Sequence, residues 1–312
     1  MFRKLTAASL PLCALGLGSR TSALSTASAP AKTVRVAVVQ MESSSDKAAN
    51  LVHCRALLAK AAATGAKLVV LPEIWNSPYA VGEFRCNAEA VKLSADGPSG
   101  PSVGMLQAAA AEHGVWIVGG SVPELGACGN VYNTSPVIDS QGQVVAKHRK
   151  VHLFDIDVPG KIRFFESETL AAGASRTVAP LPADLGGGAL GVAICYDMRF
   201  AELAVSMRKH GATILVYPGA FNTVTGPPHY RLLAMARALD AQAFVVAASP
   251  ARSPTATYQA YGYSVVVDPW GQPVAAAEGH GEEIIVADLD LARLDEVRAS
   301  MKLLDQRRPD VY

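Results

Sequence analysis

Three residues stand where a side chain could carry out acyl transfer: Cys195, Glu73 and Lys150. Cys195 closes the apolar run ALGVAI, and Tyr196-Asp197-Met198-Arg199 breaks that run at once, just before a helix-like stretch. A free cysteine at the end of a buried strand is ordinarily core packing. At a strand-to-helix turn, however, exposure and a helix amino end lower a thiol pKa from ~8.5 and favour the thiolate. The sequence therefore predicts an exposed, activated nucleophile at 195. Glu73 ends AKLVVLPE, at the carboxyl end of a strand, where α/β sheets carry their functional groups. Its neighbours Leu71, Pro72, Ile74 and Trp75 are apolar, which predicts partial burial, a raised carboxyl pKa and suitability as a general base. A solvated loop carboxylate is the plainer alternative. Lys150 lies in HRKVHLF, where strand alternation sends His148 and Lys150 to one face and Arg149 to the other. A solvated edge strand is the alternative there.

The elements that must hold these groups follow from periodicity. VRVAVVQ from Val34 reads as a strand, Ser43 to Ser45 as a capping cluster, and Ala48 to Ala63 as an amphipathic helix. Pro101 to His113 reads as a helix, and VWIVGGSV, VYNTSPVID and QVVAKHRK as strands, the last after a Ser140-Gln141-Gly142 turn. Val151 to Pro182 is rich in Gly, Pro and polar residues and too long for a plain connector, which marks it as a functional loop. ALGVAICYDMRF is a strand running into a turn, and RFAELAVSMRKH is the helix after it. TILVYPGAF, QAFVVAASP and YSVVVD are further strands, with a helix at His229 to Leu239. EIIVADLD and a helix near Leu291 to Ser300 close the chain. Hairpins mix with strand–helix alternation, so the sheets should be mixed. No interior linker or repeat divides residues 34–312, which reads as one domain.

Composition limits the partners. The 28 basic and 27 acidic residues nearly cancel, so no broad basic field exists to attract nucleic acid or anionic lipid. A small-molecule partner is expected. Cysteines at 13, 54, 86, 128 and 195 form neither a disulfide framework nor a metal pattern. The His148–His152 spacing lacks the glutamate of a helical zinc motif. Residues 1–33 read as a targeting extension: no Asp or Glu occurs in the first forty positions, while Arg3, Lys4, Arg20, Lys32 and Arg35 supply positive charge among Ala, Ser and Thr. The apolar stretch Leu10 to Leu17 falls far short of the ~20 residues that span a bilayer. A mitochondrial or plastid transit peptide is expected, with a secretory signal or a functionless extension in the cytoplasm as alternatives.

LPEIW around Glu73, HRKVHLFD around Lys150 and GVAICYDMRFAEL around Cys195, in that order, resemble the nitrilase, or carbon–nitrogen hydrolase, superfamily with its Glu-Lys-Cys triad. The resemblance runs from about Val34 to the carboxyl terminus. The longer blocks KVHLFDIDVPGKIRFFES, ICYDMRFAELA, VYPGAFNTVTGPPH, ASPAR and VVDPWGQ look most like its ω-amidase branch. The resemblance implies an α-β-β-α sandwich that commonly pairs into homodimers and needs no metal or organic cofactor. It further implies that Glu73 removes the thiol proton, Cys195 attacks an amide carbon, and Lys150 with the backbone N–H of Tyr196 holds the oxyanion. Glu166, in FFES, matches a supporting glutamate that orients the substrate amide or the water; on its own it reads as a loop-surface carboxylate.

Substrates of that branch are 2-oxo dicarboxylic acid monoamides such as 2-oxoglutaramate and 2-oxosuccinamate. Their far carboxylate needs a donor, for which Tyr79 and Arg199 are the candidates, although Arg199 could equally be a structural partner of Asp197. A nitrilase, a deaminated-glutathione amidase and a silent scaffold are the rival functions; the nitrilase branch typically carries Trp-Glu after its cysteine, where this chain has Tyr196-Asp197. Two motifs are set aside. GGGALG at 186–191 precedes a strand instead of joining strand to helix, so it reads as a turn and not as a dinucleotide cradle. Tyr258, Tyr261 and Tyr263 read as packing.

Overall fold

The computed structural model describes residues 33–311. The expected transit segment lies outside the described residues, save for Thr33, which begins the first strand. The first part of the chain forms β1 (Thr33–Gln40), α1 (Lys47–Ala63), β2 (Leu68–Val70), α2 (Pro101–His113), β3 (Trp116–Val118), β4 (Val122–Leu125), β5 (Val131–Ile138) and β6 (Val144–Arg149). A separate hairpin follows, β7 (Asp155–Val158) and β8 (Ile162–Phe165). Then come β9 (Thr177–Pro180), β10 (Ala189–Val192), α3 (Ala201–Lys209), β11 (Ala212–Pro218), α4 (Gly226–Ala241), β12 (Phe244–Ala248), β13 (Val265–Val267) and β14 (Pro273–Ala276). The chain returns to the first sheet with β15 (Glu283–Asp290) and ends on α5 (Leu291–Ser300).

The first sheet runs β15-β1-β2-β3-β5-β4, with β6 on the other edge of β5; the second runs β14-β13-β12-β11-β10-β9. Both are mixed, as expected: β1, β2 and β3 are parallel, as are β10, β11 and β12, and antiparallel strands flank each set. The parallel strands are apolar on both faces because both faces are covered. Val36, Val38, Val70 and Val118 meet Val192, Val216 and Val246 between the sheets. On the outer face of the first sheet, Ala37, Val39 and Ile117 pack on Leu57, Leu58 and Leu106 of α1 and α2. On the outer face of the second, Leu215, Tyr217 and Val245 pack on Met207 of α3 and on Ala234 and Ala238 of α4. The α-β-β-α sandwich is thus built by burying alternate sides of the same strands, at about 1.5–3 kcal/mol per large aliphatic side chain.

Several expectations need correction. Asp46, not the Ser43 to Ser45 cluster, caps α1 by accepting from the Ala49 N–H. Ser43 instead donates to the Trp75 carbonyl, beside the Glu73 loop. α4 begins three residues before the expected His229, because Pro227 and Pro228 supply helical φ where no N–H is needed. The segment 151–182 is not a plain loop: it holds the β7–β8 hairpin and β9. β14, in QPVAAAE, gave no strand signal of its own and forms by pairing with β13. The 186–188 glycines all take positive φ ahead of β10, as a turn requires. No helix among the described residues is long and apolar enough to cross a membrane.

Candidate active site

Each of the three leading residues follows a strand end. Leu71, just past β2, donates to the Val118 carbonyl, after which the chain bends at Pro72-Glu73. The bend is braced from the Gly119–Ser121 kink between β3 and β4: Ser121 N–H donates to the Pro72 carbonyl, Ser121 Oγ accepts from Ile74 N–H at 3.1 Å, and Trp75 Nε1 donates to the Gly119 carbonyl. Gly120 has φ +58°, and a Cβ there would collide with the Pro72 carbonyl oxygen, so only glycine lets this kink sit under the bend. Glu73 is consequently fully buried, more than the partial burial expected. Its Oε1 accepts from Asn133 Nδ2 and Lys150 Nζ, both at 2.8 Å, and its Oε2 from the Ala220 N–H at 2.7 Å.

Lys150, immediately after β6, is tied by its N–H to the Asn133 carbonyl and by its own carbonyl to the Gly173 N–H. Alternation works as expected: His148 and Lys150 point inward and are buried, while Arg149 turns outward to Glu124. Lys150 Nζ donates to Glu73 at 2.8 Å and to Glu166 Oε1 at 2.9 Å. Burial alone would push this ammonium down, but the Glu166 and Glu73 charges prevail and hold it well above the ordinary lysine value. Glu166 is not the loop-surface carboxylate that it reads as in isolation. It is fully buried at the end of β8, where its Oε1 also accepts from Tyr79 Oη at 2.7 Å and its Oε2 from the Phe154 N–H at 2.7 Å. Burial, opposed by Lys150 and aided by the Glu73 charge, raises its carboxyl pKa.

Cys195 opens a 3₁₀ turn, Cys195–Arg199, with φ +46°, a strained value for a residue with a side chain. Gly219, just after β11, lies against it, since a Cβ on Gly219 would stand 3.2 Å from the Cys195 Cα. The expected exposed thiolate is overturned. Cys195 is only 4% exposed, and burial together with the Glu73 charge lifts its pKa well above the ordinary thiol value, with Lys150 opposing. The helix behind it starts at Ala201, too far along to act on the thiol with its first turn. Both influences favour the neutral thiol over the thiolate.

Tyr79 is in the site, but its hydroxyl proton goes to Glu166, and its ring stacks on Phe164 with centroids 5.4 Å apart. Arg199 does not pair with Asp197, whose oxygens are taken by His148, His152 and the Ile194 N–H. It lies across the Tyr196 and Phe221 rings, approaches His229 Nδ1 at 3.3 Å, and keeps a buried Nε with no hydrogen-bond partner. Cys195, Tyr196, Arg199, Phe221 and Thr225 share one small hollow; beyond Ala220 and Tyr258 a cavity of about 250 Å³ opens over Glu73.

Sequence reasoning missed Asn133, Asp197 and Tyr258. Asn133 holds Glu73 by its side chain and Lys150 by its main chain. The signal was the buried polar run Asn133-Thr134-Ser135 inside an otherwise apolar strand. Tyr258, set aside as packing, borders both hollows and donates to the Ala220 carbonyl. The long irregular connection from β12 to β13 that carries it was the available signal.

Comparison with known proteins gives the family and the fold. The carbon–nitrogen hydrolase family profile matches residues 35–299. The chain is 48% identical over 278 residues to omega-amidase NIT2 of Danio rerio, covering 89% of this chain and 96% of that protein. It is 45% identical over 291 residues to the chloroplastic omega-amidase of Arabidopsis thaliana, covering 93% and 77%. The crystal structure of Saccharomyces cerevisiae Nit3, described as a member of branch 10 of the nitrilase superfamily, superposes with a TM-score of 0.80 at 43% identity, covering 89% of this chain and 97% of that one.

Proposed function

Because this chain belongs to the carbon–nitrogen hydrolase family, we propose that it is an ω-amidase that hydrolyses the terminal amide of 2-oxo dicarboxylic acid monoamides through a thioester on Cys195. The observation that carries the reading is the closed set of Glu73, Lys150 and Glu166 around a buried thiol. Glu73 takes the thiol proton as sulfur attacks the amide carbon. Lys150, held charged, and the Tyr196 N–H stabilise the oxyanion, where each such donor contributes ~10²–10³ in rate. Glu73 returns the proton to the departing nitrogen, which leaves as ammonia, and then takes one from water as water attacks the thioester. The second step restores the thiol and releases the carboxylic acid, so atoms balance with water as the only co-substrate. Glu166 keeps Lys150 oriented and, with Tyr79, closes the site on that side.

The 2-oxo acid preference rests on Arg199. A buried guanidinium Nε without a partner, one turn past the nucleophile, is a donor waiting for an acceptor, whereas the Tyr79 proton is already engaged. The relatives named omega-amidase support the same assignment. The test is ammonia release from a panel holding 2-oxosuccinamate, a neutral amide of equal length, deaminated glutathione and a nitrile. kcat/KM is expected to be highest for the 2-oxo acid, and Arg199→Met should lower that value about tenfold or more, the cost of one charge-assisted bond, while sparing the neutral amide. A preference for any other member of the panel sinks the ω-amidase assignment.

The same proposal takes residues 1–33 as an organellar transit peptide and the working unit as a homodimer. The acid-free composition and a relative named chloroplastic support the first. The family resemblance and the exposed Leu232 and Leu239 on α4 support the second. A chain beginning at residue 34 is expected to keep its activity and to sediment as a dimer, while losing organellar import in cells. Unchanged location, or a monomer, removes the corresponding half.

A further inference from the structure

One carboxylate outside the reacting set joins both of its halves. Asp197, two residues past the nucleophile, is fully buried. Its Oδ2 accepts from the Ile194 N–H at 2.9 Å and meets His148 Nε2 at 3.0 Å; its Oδ1 accepts from the His152 N–H at 2.9 Å and meets His152 Nδ1 at 2.8 Å. His148 and His152 stand two residues before and two after Lys150, and Ile194 directly precedes Cys195. His148 is itself fixed through Nδ1 at Thr177 Oγ1, whose hydroxyl donates to the Lys147 carbonyl, and the His152 ring stacks on Phe200 with centroids 3.6 Å apart.

We infer that Asp197 is a positioning residue: with His148 and His152 as its two arms, it clamps the Cys195 turn to the strand end that carries Lys150 and so sets the distance over which the oxyanion is stabilised. The geometry requires something of this kind. Cys195 sits in the left-handed region at φ +46°, a conformation that persists only where surrounding bonds over-determine it. The bond from Ile194 N–H to Oδ2 holds the residue before that strained position. The remaining contacts of the same carboxylate reach His148 on β6, in the other sheet, and His152 just past the end of that strand. Among the described residues neither histidine side chain hydrogen-bonds to Cys195, Lys150 or Glu73, so the device acts through placement.

This inference rests on reading Cys195 and Lys150 as the reacting groups, and its test separates the two. Asp197→Asn keeps the shape but replaces one accepting oxygen with an amino group, so the bond from either the Ile194 N–H or the His152 N–H, neither of which can accept, must be released. Its kcat is expected to fall roughly a hundredfold with KM within about threefold of wild type, the signature of misplacement by about an ångström. His152 has 29% of its side chain exposed and so tolerates substitution should Asp197→Asn fail to fold. His152→Ala should lose about tenfold in kcat, and His152→Asn, whose Nδ2 can donate to Oδ1, should recover most of that loss. A kcat for Asp197→Asn close to wild type, a loss confined to KM, or a His152→Asn protein as impaired as His152→Ala overturns the clamp. Turnover surviving in Cys195→Ala would instead overturn the reading beneath it.

Discussion

Cys195→Ala protein is expected to release no measurable ammonia from any amide that the wild type hydrolyses. Loss of a nucleophile in comparable acyl-transfer sites costs roughly a millionfold in kcat, and neither of the other two thiols among the described residues is placed to substitute. Cys54 is buried in the α1 face of the core, and Cys86 lies on the surface. The fold should survive, because alanine meets the same φ constraint as cysteine and only one sulfur atom is removed. Removing that sulfur from a buried site costs on the order of 1 kcal/mol. Ammonia assay beside thermal unfolding decides the matter: full activity in the variant ends the nucleophile assignment, and a collapsed melting curve would make the loss uninformative about chemistry.

Lys150→Met should damage both rate and stability, and the two effects can be told apart by pH. In kinetics the oxyanion loses its cation, for an expected fall in kcat of about 10²–10³. In the fold, Glu73 and Glu166 remain fully buried with their shared positive partner gone, which costs about 3–5 kcal/mol at neutral pH. The sign of the pH effect follows from Glu166. Its folded pKa is already raised by burial, and removing the opposing Lys150 raises it further. The folded variant therefore binds more protons than the unfolded chain across the weakly acidic range, and stability falls as pH rises through the folded value. The stability gap between variant and wild type should narrow as pH drops from 7 towards about 5. A gap that stays constant or widens would mean that the two carboxylates are not held by Lys150 in the way the geometry shows.

The sheets, the helices and the positions of Glu73, Lys150 and Cys195 at strand ends were legible because they depend on local pattern. Leu68 to Leu71 and Ala189 to Ile194 are apolar runs that end sharply, and the residues just past such an end are visible positions. The state of the thiol was not legible. A turn after residue 195 suggested exposure and a helix dipole, but burial depends on β11, Gly219 and Ala220, which arrive from distant sequence. Glu166 was visible only through the family resemblance, for the same reason: on its own an FFES loop says nothing of Lys150 until the β7–β8 hairpin folds over it. Arg199 shows the reverse failure, since the nearest acid in sequence, Asp197, was the natural partner to assume, and it is the two histidines that occupy that acid.

The bond from Ala220 N–H to Glu73 also bears on how the protein comes to be active. It spans 147 residues of sequence, and the bond from Lys150 to Glu73 spans 77. Helices and hairpins form locally within microseconds, whereas contacts of such separation wait for the chain entropy of large loops to be overcome. Glu73 rides on one sheet and Ala220 on the other, so Glu73 acquires its full set of partners only after the two sheets have docked. Regain of turnover during refolding thus reports the last long-range closure of the sandwich rather than its helix content, and a half-folded chain is a silent protein, not a weak enzyme.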